Sequence, residues 1–166
     1  MINKNDIQAT QDEFLQLLTG HQKIIFKLVN LYATEAESKK DLYQEIVLQA
    51  WKAFPSFAGR SKFSTWLYRL SLNTIFTLKR KPHPVDLEED ITNYETIALP
   101  TTNEENKHHL LQVIRRLNEI DRAIISLHLD GYDNSEIGEI LGISTNHTSV
   151  KLFRVKQKIA TLFNNA

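Results

Sequence analysis

The sequence predicts an all-α protein made of two small helical domains joined by a flexible acidic linker. Apolar residues recur at spacings of three and four in residues 7–18 and 22–31, and no alternating strand pattern competes with them. The carboxyl-terminal part contains two further helical segments separated by a glycine turn. Between these parts, residues 82–105 contain three of the four prolines and little apolar periodicity. Two folded units on a tether follow from this pattern.

Charge is segregated along the chain in the same three parts. Residues 1–81 hold twelve basic and seven acidic residues, and residues 106–166 hold eight and six, so both are net positive. Residues 82–105 hold seven acidic residues and no lysine or arginine. We therefore predict domains at 1–81 and 106–166 with a linker at 82–105. Composition leaves open whether this linker is a plain spacer, fills a basic channel or shields the domains from nucleic acid.

Length and composition limit the class of protein. The 166 residues allow one domain or two small ones, and a hydrophobic content of 42% is enough for helical cores. The chain has no cysteine, which excludes disulfides and thiolate zinc sites. The amino terminus lacks an apolar core, and no segment approaches the roughly 18–20 apolar residues of a membrane span. We expect a cytoplasmic protein without direct membrane insertion.

Three helices are predicted before the first proline. Ile7–Leu18 and Gln22–Leu31 carry apolar residues at helical spacing. Thr34 and Glu37 have the spacing of a capping box, which would begin a third helix that runs to about Ala53.

The third helix is expected to present different residues on two faces. Ile46, Ala50 and Ala53 can face the core. Another face carries a polar cluster on one turn, which is usually only a solvated surface. We call this cluster the acidic turn; it consists of Asp41, Gln44 and Glu45.

A loop and a fourth helix follow. Pro55 and Gly59 make helix improbable from Phe54 to Lys62, and Ser61 can cap a helix that runs to about Lys81. Aromatic side chains beside basic ones suit unpaired bases, which stack on rings while phosphates pair with lysine or arginine. A core-facing helix explains the aromatic residues equally well. The residues of this aromatic-basic set are Phe57, Arg60, Lys62, Trp66, Arg69 and Asn73.

Residues 134–158 have the layout of a helix-turn-helix. Asp133 can cap the first helix with Glu136 returning the bond, and this helix ends at Gly142. Ser144 can cap a longer second helix. The side chains of this second helix that recur at helical spacing and face inward are Leu152, Val155 and Ile159.

The outer face of the second helix is basic. From Ser144 to the terminus there are four basic residues and no acidic ones. Because duplex DNA carries about one negative charge per 1.7 Å, an unopposed basic helix suits phosphate attraction. The alternative is an ordinary helical hairpin with a solvated basic end. The recognition face consists of Asn146, His147, Ser149, Val150, Lys151, Phe153, Arg154 and Lys156, with Lys158 beyond it.

Three segments together closely resemble bacterial RNA polymerase sigma factors of the extracytoplasmic-function (ECF) group, in the sigma-70 family. They are DLYQEIVLQAW at 41–51, FPSFAGRSKFSTWLYRLSLN at 54–73 and the terminal helix-turn-helix. The resemblance covers nearly the whole chain. It implies a helical second region at 1–81, a helical fourth region at 106–166, and an alternative sigma factor that directs promoter-specific transcription initiation.

The resemblance also implies roles for the candidate residues. The acidic turn would dock onto a coiled coil of the polymerase clamp subunit. The loop at 57–62 would capture a flipped base of the minus-ten element, and Trp66, Arg69 and Asn73 would contact its upstream edge. The recognition face would bind the minus-thirty-five element in the major groove, with Lys151 and Lys156 on phosphates.

Two residues depart from the family pattern. Thr148 stands where an aliphatic residue is usually buried, and Gly138 stands where alanine is common. Since glycine inside a helix costs roughly 0.5–1 kcal/mol relative to alanine, we expect a less stable fourth region. Asn146 and His147 also open the recognition helix in an unusual combination.

The implied partners are core RNA polymerase, promoter DNA and an anti-sigma factor, and we expect a monomer when the protein is free. We expect no cofactor, metal or catalytic residue, because no nucleophile-base-acid set stands out and adjacent His108 and His109 point to different sides of a helix. A self-standing helix-turn-helix regulator that binds an operator is the alternative. The amino-terminal half discriminates the two, because a simple regulator needs dimerisation or ligand sensing there.

Overall fold

The computed structural model describes residues 4–80 and 104–165, and within those ranges it contains helices, turns and loops but no strand. The chain divides into two compact units, Met1–Lys79 and Arg80–Ala166. The predicted all-α class with two helical domains is confirmed. Residues 82–103 of the predicted linker lie outside the described residues. Its last two residues, Glu104 and Glu105, form the first turn of a helix.

From residue 4 onward, the first unit contains three helices and a short 3₁₀ turn. These are α1 (Lys4–Tyr32), α2 (Ala36–Ala53), the turn Phe54–Ser56, and α3 (Phe63–Lys79). Each of the three helices packs against the other two. Their shared core is formed by large side chains with at most 1% exposure: Ile25, Leu28, Ile46, Leu67, Tyr68, Leu72 and Ile75.

The first helix differs from the prediction. Two helices were expected at residues 7–18 and 22–31, but α1 is continuous through Gly20. The buried side chains of Leu18 and Ile25 lie on either side of the glycine. Most helical stability in proteins comes from packing of an apolar face, so one glycine with a modest intrinsic cost does not end this helix.

The predicted helix starts in this unit also need correction. The cap of α2 is Glu35, which makes no side-chain capping bond, so the predicted capping box of Thr34 and Glu37 is wrong. Because the helix begins one residue later than that motif requires, Glu37 is its second residue and cannot take the third-residue role. Helix α3 begins at Phe63, so Lys62 and not Ser61 precedes it. Ala53 is half-buried, whereas Ile46 and Ala50 are fully buried as predicted.

Across residues 104–165, the second unit contains four helices, α4 (Glu104–Arg115), α5 (Glu119–Leu129), α6 (Asn134–Leu141) and α7 (Thr145–Asn164). Helix α7 packs against the other three. The core side chains with at most 1% exposure are Val113, Ala123, Ile124, Ile125, Leu127, Ile137, Val155 and Ile159. Helix α7 therefore presents its inner face to this core and its remaining surface outward.

A guanidinium clamp joins α4 to α5. One nitrogen of Arg122 donates to the carbonyl oxygens of Arg115, at 2.6 Å, and Leu117, at 2.9 Å. These carbonyls belong to the last residue of α4 and to the turn after it, where backbone acceptors lack helical partners.

Within residues 4–80 and 104–165, no helix is both long and apolar enough to cross a bilayer.

Candidate functional site

The helix-turn-helix has the predicted caps. The Asp133 carboxylate accepts from the backbone N–H of Glu136, and the Glu136 carboxylate accepts from that of Asp133, both at 2.8 Å. Gly142 ends α6 at φ 72°, in the left-handed region that favours glycine. The Ser144 hydroxyl accepts from the backbone N–H of His147 at 3.1 Å. Reciprocal caps and the glycine turn together fix where α7 leaves α6.

Helices α6 and α7 approach closely at Gly138. A β-carbon at this position would lie 2.6 Å from the carbonyl oxygen of Ile143, which is too close for any side chain. Thr148 is fully buried opposite, and its hydroxyl donates to the Ser144 carbonyl at 3.0 Å. In this packing an alanine at 138 would clash with the Ile143 carbonyl, so glycine is expected to be the better residue here despite its intrinsic helix cost. The lower stability of the fourth region relative to its relatives stays a prediction.

The faces of α7 are those predicted. Leu152, Val155 and Ile159 are buried. On the recognition face, Asn146, His147, Val150 and Arg154 are exposed, and Ser149, Lys151, Phe153 and Lys156 are half-buried. The amino-terminal part of a recognition helix is the part that contacts base edges in this class of motif.

Lys158 does not extend the recognition face. Its ammonium group lies 3.0 Å from Asp121 of α5, whose side chain is only 7% exposed. The same carboxylate oxygen accepts from the side-chain amide of Asn118 at 3.0 Å. Lys158 thus fastens the carboxyl-terminal half of α7 to the start of α5, a contact between residues 37 apart that the sequence did not predict.

A histidine lies near the base of the recognition face. His128 is in the last turn of α5 and is half-buried. Burial, and secondarily the positive charge of Lys156, lower the pKa of His128 below its ordinary value of 6.5. The neutral imidazole is therefore favoured beside this basic helix.

Ser149 is held by a residue that sequence reasoning missed. The side-chain amide of Asn134, the first residue of α6, donates to the Ser149 hydroxyl at 2.9 Å. The hydroxyl itself donates to the Thr145 carbonyl at 3.0 Å. The two residues are 15 apart, so no local spacing in the sequence signals this pair.

The acidic turn on α2 is only partly open. Asp41 and Gln44 are exposed, whereas Glu45 is half-buried and accepts from the side-chain amide of Gln49 at 2.7 Å. The predicted polymerase-binding residues thus lie on one turn but differ in how far their side chains are exposed to solvent.

A groove of 570 Å³ runs between α2 and α3. It brings Glu45 of the acidic turn together with three residues of the aromatic-basic set, Trp66, Arg69 and Asn73. Two predicted binding surfaces therefore share one groove.

The aromatic residues of the loop form a cluster. Ring centroids of Phe57 lie 5.1 Å from Trp66, 5.7 Å from Phe63 and 6.2 Å from Phe54. The alternative interpretation of these aromatic residues was that they face the core. Phe57 and Trp66 do pack against other rings, although both stay half-buried. Arg60 and Lys62 are exposed on the same loop, and Gly59, which precedes Arg60, has φ 67°. The cluster anchors a loop whose basic side chains remain accessible.

The histidines of α4 have other contacts. A ring nitrogen of His108 lies 3.2 Å from the Gln112 amide, and the His109 ring stacks on Phe163 with centroids 4.3 Å apart. In the part of the chain that the structure describes, no three potential metal ligands come together.

Two family models match the chain, one in each unit. Sigma-70 region 2 matches residues 17–83, and Sigma-70, region 4 matches residues 108–159. The ECF RNA polymerase sigma-E factor of Escherichia coli (strain K12) is 29% identical, over 92% of this chain and 87% of that protein. The protein of the same name from Haemophilus influenzae is 26% identical, over 92% of this chain and 88% of that protein.

Solved structures share the fold. CnrH in complex with the cytosolic domain of CnrY matches with a TM-score of 0.68 and 21% identity, over 96% of this chain and 94% of that chain. The sigma factor RpoE in complex with the anti-sigma factor NepR, from Bartonella quintana, matches with a TM-score of 0.64 and 17% identity, over 95% and 98% respectively. The family resemblance predicted from three sequence segments is confirmed, and a self-standing regulator does not account for the match at 17–83.

Proposed function

The chain belongs to the ECF group of the sigma-70 family, and from that premise we propose how its surfaces divide the work of an alternative sigma factor that directs transcription initiation. The second region, at 1–81, binds core RNA polymerase and the minus-ten element. The fourth region, at 106–166, binds the minus-thirty-five element. The acidic segment at 82–105 tethers them.

The exposed part of the acidic turn carries this proposal. Asp41 and Gln44 are exposed on the surface of α2. Glu45, one turn further along, has one carboxylate oxygen on Gln49 and faces the groove. An exposed carboxylate beside an oriented one suits a basic partner surface, because the second charge is already held in place. We assign this turn to the clamp coiled coil.

The aromatic-basic set binds the minus-ten element. Opening a base costs a few kcal/mol, which stacking and phosphate contacts can offset. The half-buried Phe57 and Trp66 offer ring surface, and exposed Arg60 and Lys62 offer charge for phosphates. Arg69 and Asn73, exposed along the groove, contact the upstream edge of the element.

The recognition face binds the minus-thirty-five element in the major groove. Exposed Asn146, His147 and Val150 lie in the first two turns of α7, where base edges are reached. Exposed Arg154 extends base contacts one turn further, and half-buried Lys151 and Lys156 serve phosphates. Phosphate contacts set the position of the helix, and base contacts supply sequence choice.

The partners follow from the same assignment. Core polymerase performs the catalytic step, and the sigma factor selects the promoter. Two structural relatives are solved with a bound protein, the cytosolic domain of CnrY and the anti-sigma factor NepR. We assign to this chain an anti-sigma partner of its own, a cytoplasmic location and a monomeric free state.

The test is assembly with core RNA polymerase, followed by transcription from a library of promoter fragments. The wild-type chain is expected to comigrate with core enzyme and to give selective transcripts. Asp41→Lys with Glu45→Lys is expected to abolish comigration while the far-ultraviolet circular dichroism stays unchanged. A matched control is Glu35→Lys with Glu37→Lys, which makes the same charge change at exposed positions at the start of α2.

The outcomes separate the alternatives. Normal assembly by the folded Asp41 and Glu45 double variant would refute the docking assignment. Failure of the wild-type chain to bind core enzyme, together with tight binding to duplex operator alone, would favour the self-standing regulator.

A further inference from the structure

The bond between Asn134 and Ser149 joins the two helices of the helix-turn-helix on the recognition face itself. Asn134 is the first residue of α6 and Ser149 is the fifth residue of α7. Both side chains are half-buried, so neither is hidden from a ligand in front of α7. Ser149 is therefore a candidate base contact whose hydroxyl is already engaged before DNA arrives.

The two hydrogen bonds determine what the hydroxyl can still do. A serine hydroxyl has one donor hydrogen and two acceptor lone pairs. The hydrogen is donated to the Thr145 carbonyl at 3.0 Å, and one lone pair accepts from the Asn134 amide at 2.9 Å. One acceptor lone pair remains. In this conformation Ser149 accepts a hydrogen bond from a ligand and does not donate one.

The major groove distinguishes bases by donor and acceptor. Adenine presents the N6 amino group and cytosine presents the N4 amino group, both donors, whereas guanine O6 and thymine O4 are acceptors. An acceptor-only serine pairs with an amino group. Opposite a keto oxygen it leaves two acceptors facing each other without a hydrogen between them.

We propose that Ser149, which donates its hydrogen to the Thr145 carbonyl and whose oxygen is held by the Asn134 amide, selects adenine or cytosine over guanine or thymine at one position of the minus-thirty-five element. The inference rests on the proposed function, since it deepens the role of the recognition face. Asn134 is a positioning residue here, because it acts through Ser149. Asn134 thereby sets base choice without contacting the base.

A purely structural role for the pair gives a different expectation. If the bond only holds α6 against α7, its loss weakens binding evenly at every base pair. If it holds the hydroxyl oxygen so that the remaining lone pair faces one base, its loss reduces the preference at that base pair alone, because the Thr145 carbonyl still accepts the hydrogen while the oxygen is no longer held in place. Base preference resolved by position therefore separates the two roles.

The test uses holoenzyme made from the full chain and core RNA polymerase, with a pool of duplexes randomised across the upstream element. Wild type is expected to prefer adenine or cytosine at one position by about five-fold, the value of one hydrogen bond of about 1 kcal/mol. Ser149→Ala is expected to lose that preference and keep the others. Asn134→Ala is expected to reduce that preference and keep the others. Asn164→Ala, at the exposed end of α7, is the matched control and should behave as wild type.

A chemical probe checks the contact atom by atom. At the selected position, purine replaces adenine, or 2-pyrimidinone replaces cytosine, which removes only the amino group. We expect wild type to lose about five-fold in binding and Ser149→Ala to lose nothing further, as one hydrogen bond predicts.

The outcomes are distinguishable. Selection of an upstream element with unchanged preferences in Ser149→Ala, or an even loss across all positions, would overturn this inference alone. Absence of any selected upstream element with assembled wild-type holoenzyme would overturn the proposed function of the recognition face as well. Circular dichroism and thermal unfolding of each variant exclude loss of fold, and Ser149→Ala still tests the inference should Asn134→Ala fail to fold.

Discussion

The Thr148 hydroxyl oxygen lies 3.1 Å from the position that a β-carbon on Gly138 would occupy. The Ile143 carbonyl oxygen is closer still to that position, at 2.6 Å. Gly138 is helical and buried, so it is required here for close approach and not for an unusual backbone angle. Glycine at 138 and threonine at 148 therefore form a closely packed pair.

Gly138→Ala is expected to destabilise the second unit. The clash is with a backbone oxygen in the turn, which cannot rotate away as a side chain can. Overpacking of this kind costs about 1–3 kcal/mol, more than alanine gains in helix propensity. Chemical denaturation followed by circular dichroism measures the change.

Gly20→Ala makes the same glycine-to-alanine change inside a helix, but it is expected to stabilise the protein. Gly20 lies within α1, and no heavy atom lies within 4 Å of its added β-carbon. Alanine should therefore stabilise the first unit by up to about 1 kcal/mol. Equal effects of both substitutions would show that the close approach at Gly138 does not matter.

Thr148→Val is expected to change stability by less than about 1 kcal/mol. Valine keeps the branched shape, and the Ser144 carbonyl still accepts from the backbone N–H of residue 148 at 2.9 Å. No buried acceptor loses its last partner. A loss of several kcal/mol in the free energy of unfolding, measured by chemical denaturation, would mean that the hydroxyl has a further role.

Local patterns allowed much of the fold to be predicted. The Asp133 and Glu136 capping box, Gly142 and Ser144 depend on residues three or fewer apart, and the structure has each of them where it was predicted. Position by position, the buried face of α7 also follows from its helical spacing. The continuity of α1 through Gly20 did not follow, because packing against two other helices outweighs a local preference.

Contacts distant in sequence were not predictable. The Lys158–Asp121 pair and the Asn134–Ser149 pair join residues 37 and 15 apart. Helical spacing predicted that Lys158 and Ser149 lie on the outer side of α7, but it did not predict their hydrogen-bond partners. The same holds for Phe57, whose partners depend on how the loop folds onto α3. The sequence thus allowed the candidate site residues to be predicted, whereas their hydrogen bonds and ring contacts could be identified only from the packed structure.

Phe57 and Arg60 are expected to separate stability from promoter opening. Phe57→Ala removes a ring from the aromatic cluster, and a half-buried site should lose about 1–3 kcal/mol of unfolding free energy. Arg60→Ala removes an exposed side chain and should leave the unfolding temperature unchanged while it slows open-complex formation. Permanganate footprinting of the promoter measures the opening. Normal opening with Arg60→Ala would contradict its phosphate role.

Lys156 and Lys158 are expected to differ in their effect on the salt dependence of promoter binding. Lys156 is assigned to a phosphate, whereas Lys158 is held by Asp121 at 3.0 Å. Lys156→Ala should reduce the slope of log affinity against log salt by about 0.9, the value for one phosphate contact. Lys158→Ala should leave that slope unchanged. It should lower the free energy of unfolding only slightly, because the Lys158 side chain is partly exposed to solvent, which weakens the ion pair. Equal slopes for the two variants, measured with holoenzyme on one promoter fragment, would contradict the assignment.

His128 is expected to give the second unit a pH-dependent stability. Burial and Lys156 place the pKa of His128 below 6.5 in the folded protein. As the pH falls through 6.5, the unfolded chain therefore binds a proton more readily than the folded chain, and the free energy of unfolding decreases until the folded-state pKa is passed. Above that window the histidine is neutral in both states and contributes nothing. His128→Gln should remove this part of the pH dependence, measured by denaturation at pH values on either side of 6.5. Lys156→Gln should raise the pKa of His128 in an NMR titration, because it removes the second of the two causes; an unchanged pKa in that variant would show that burial alone sets it.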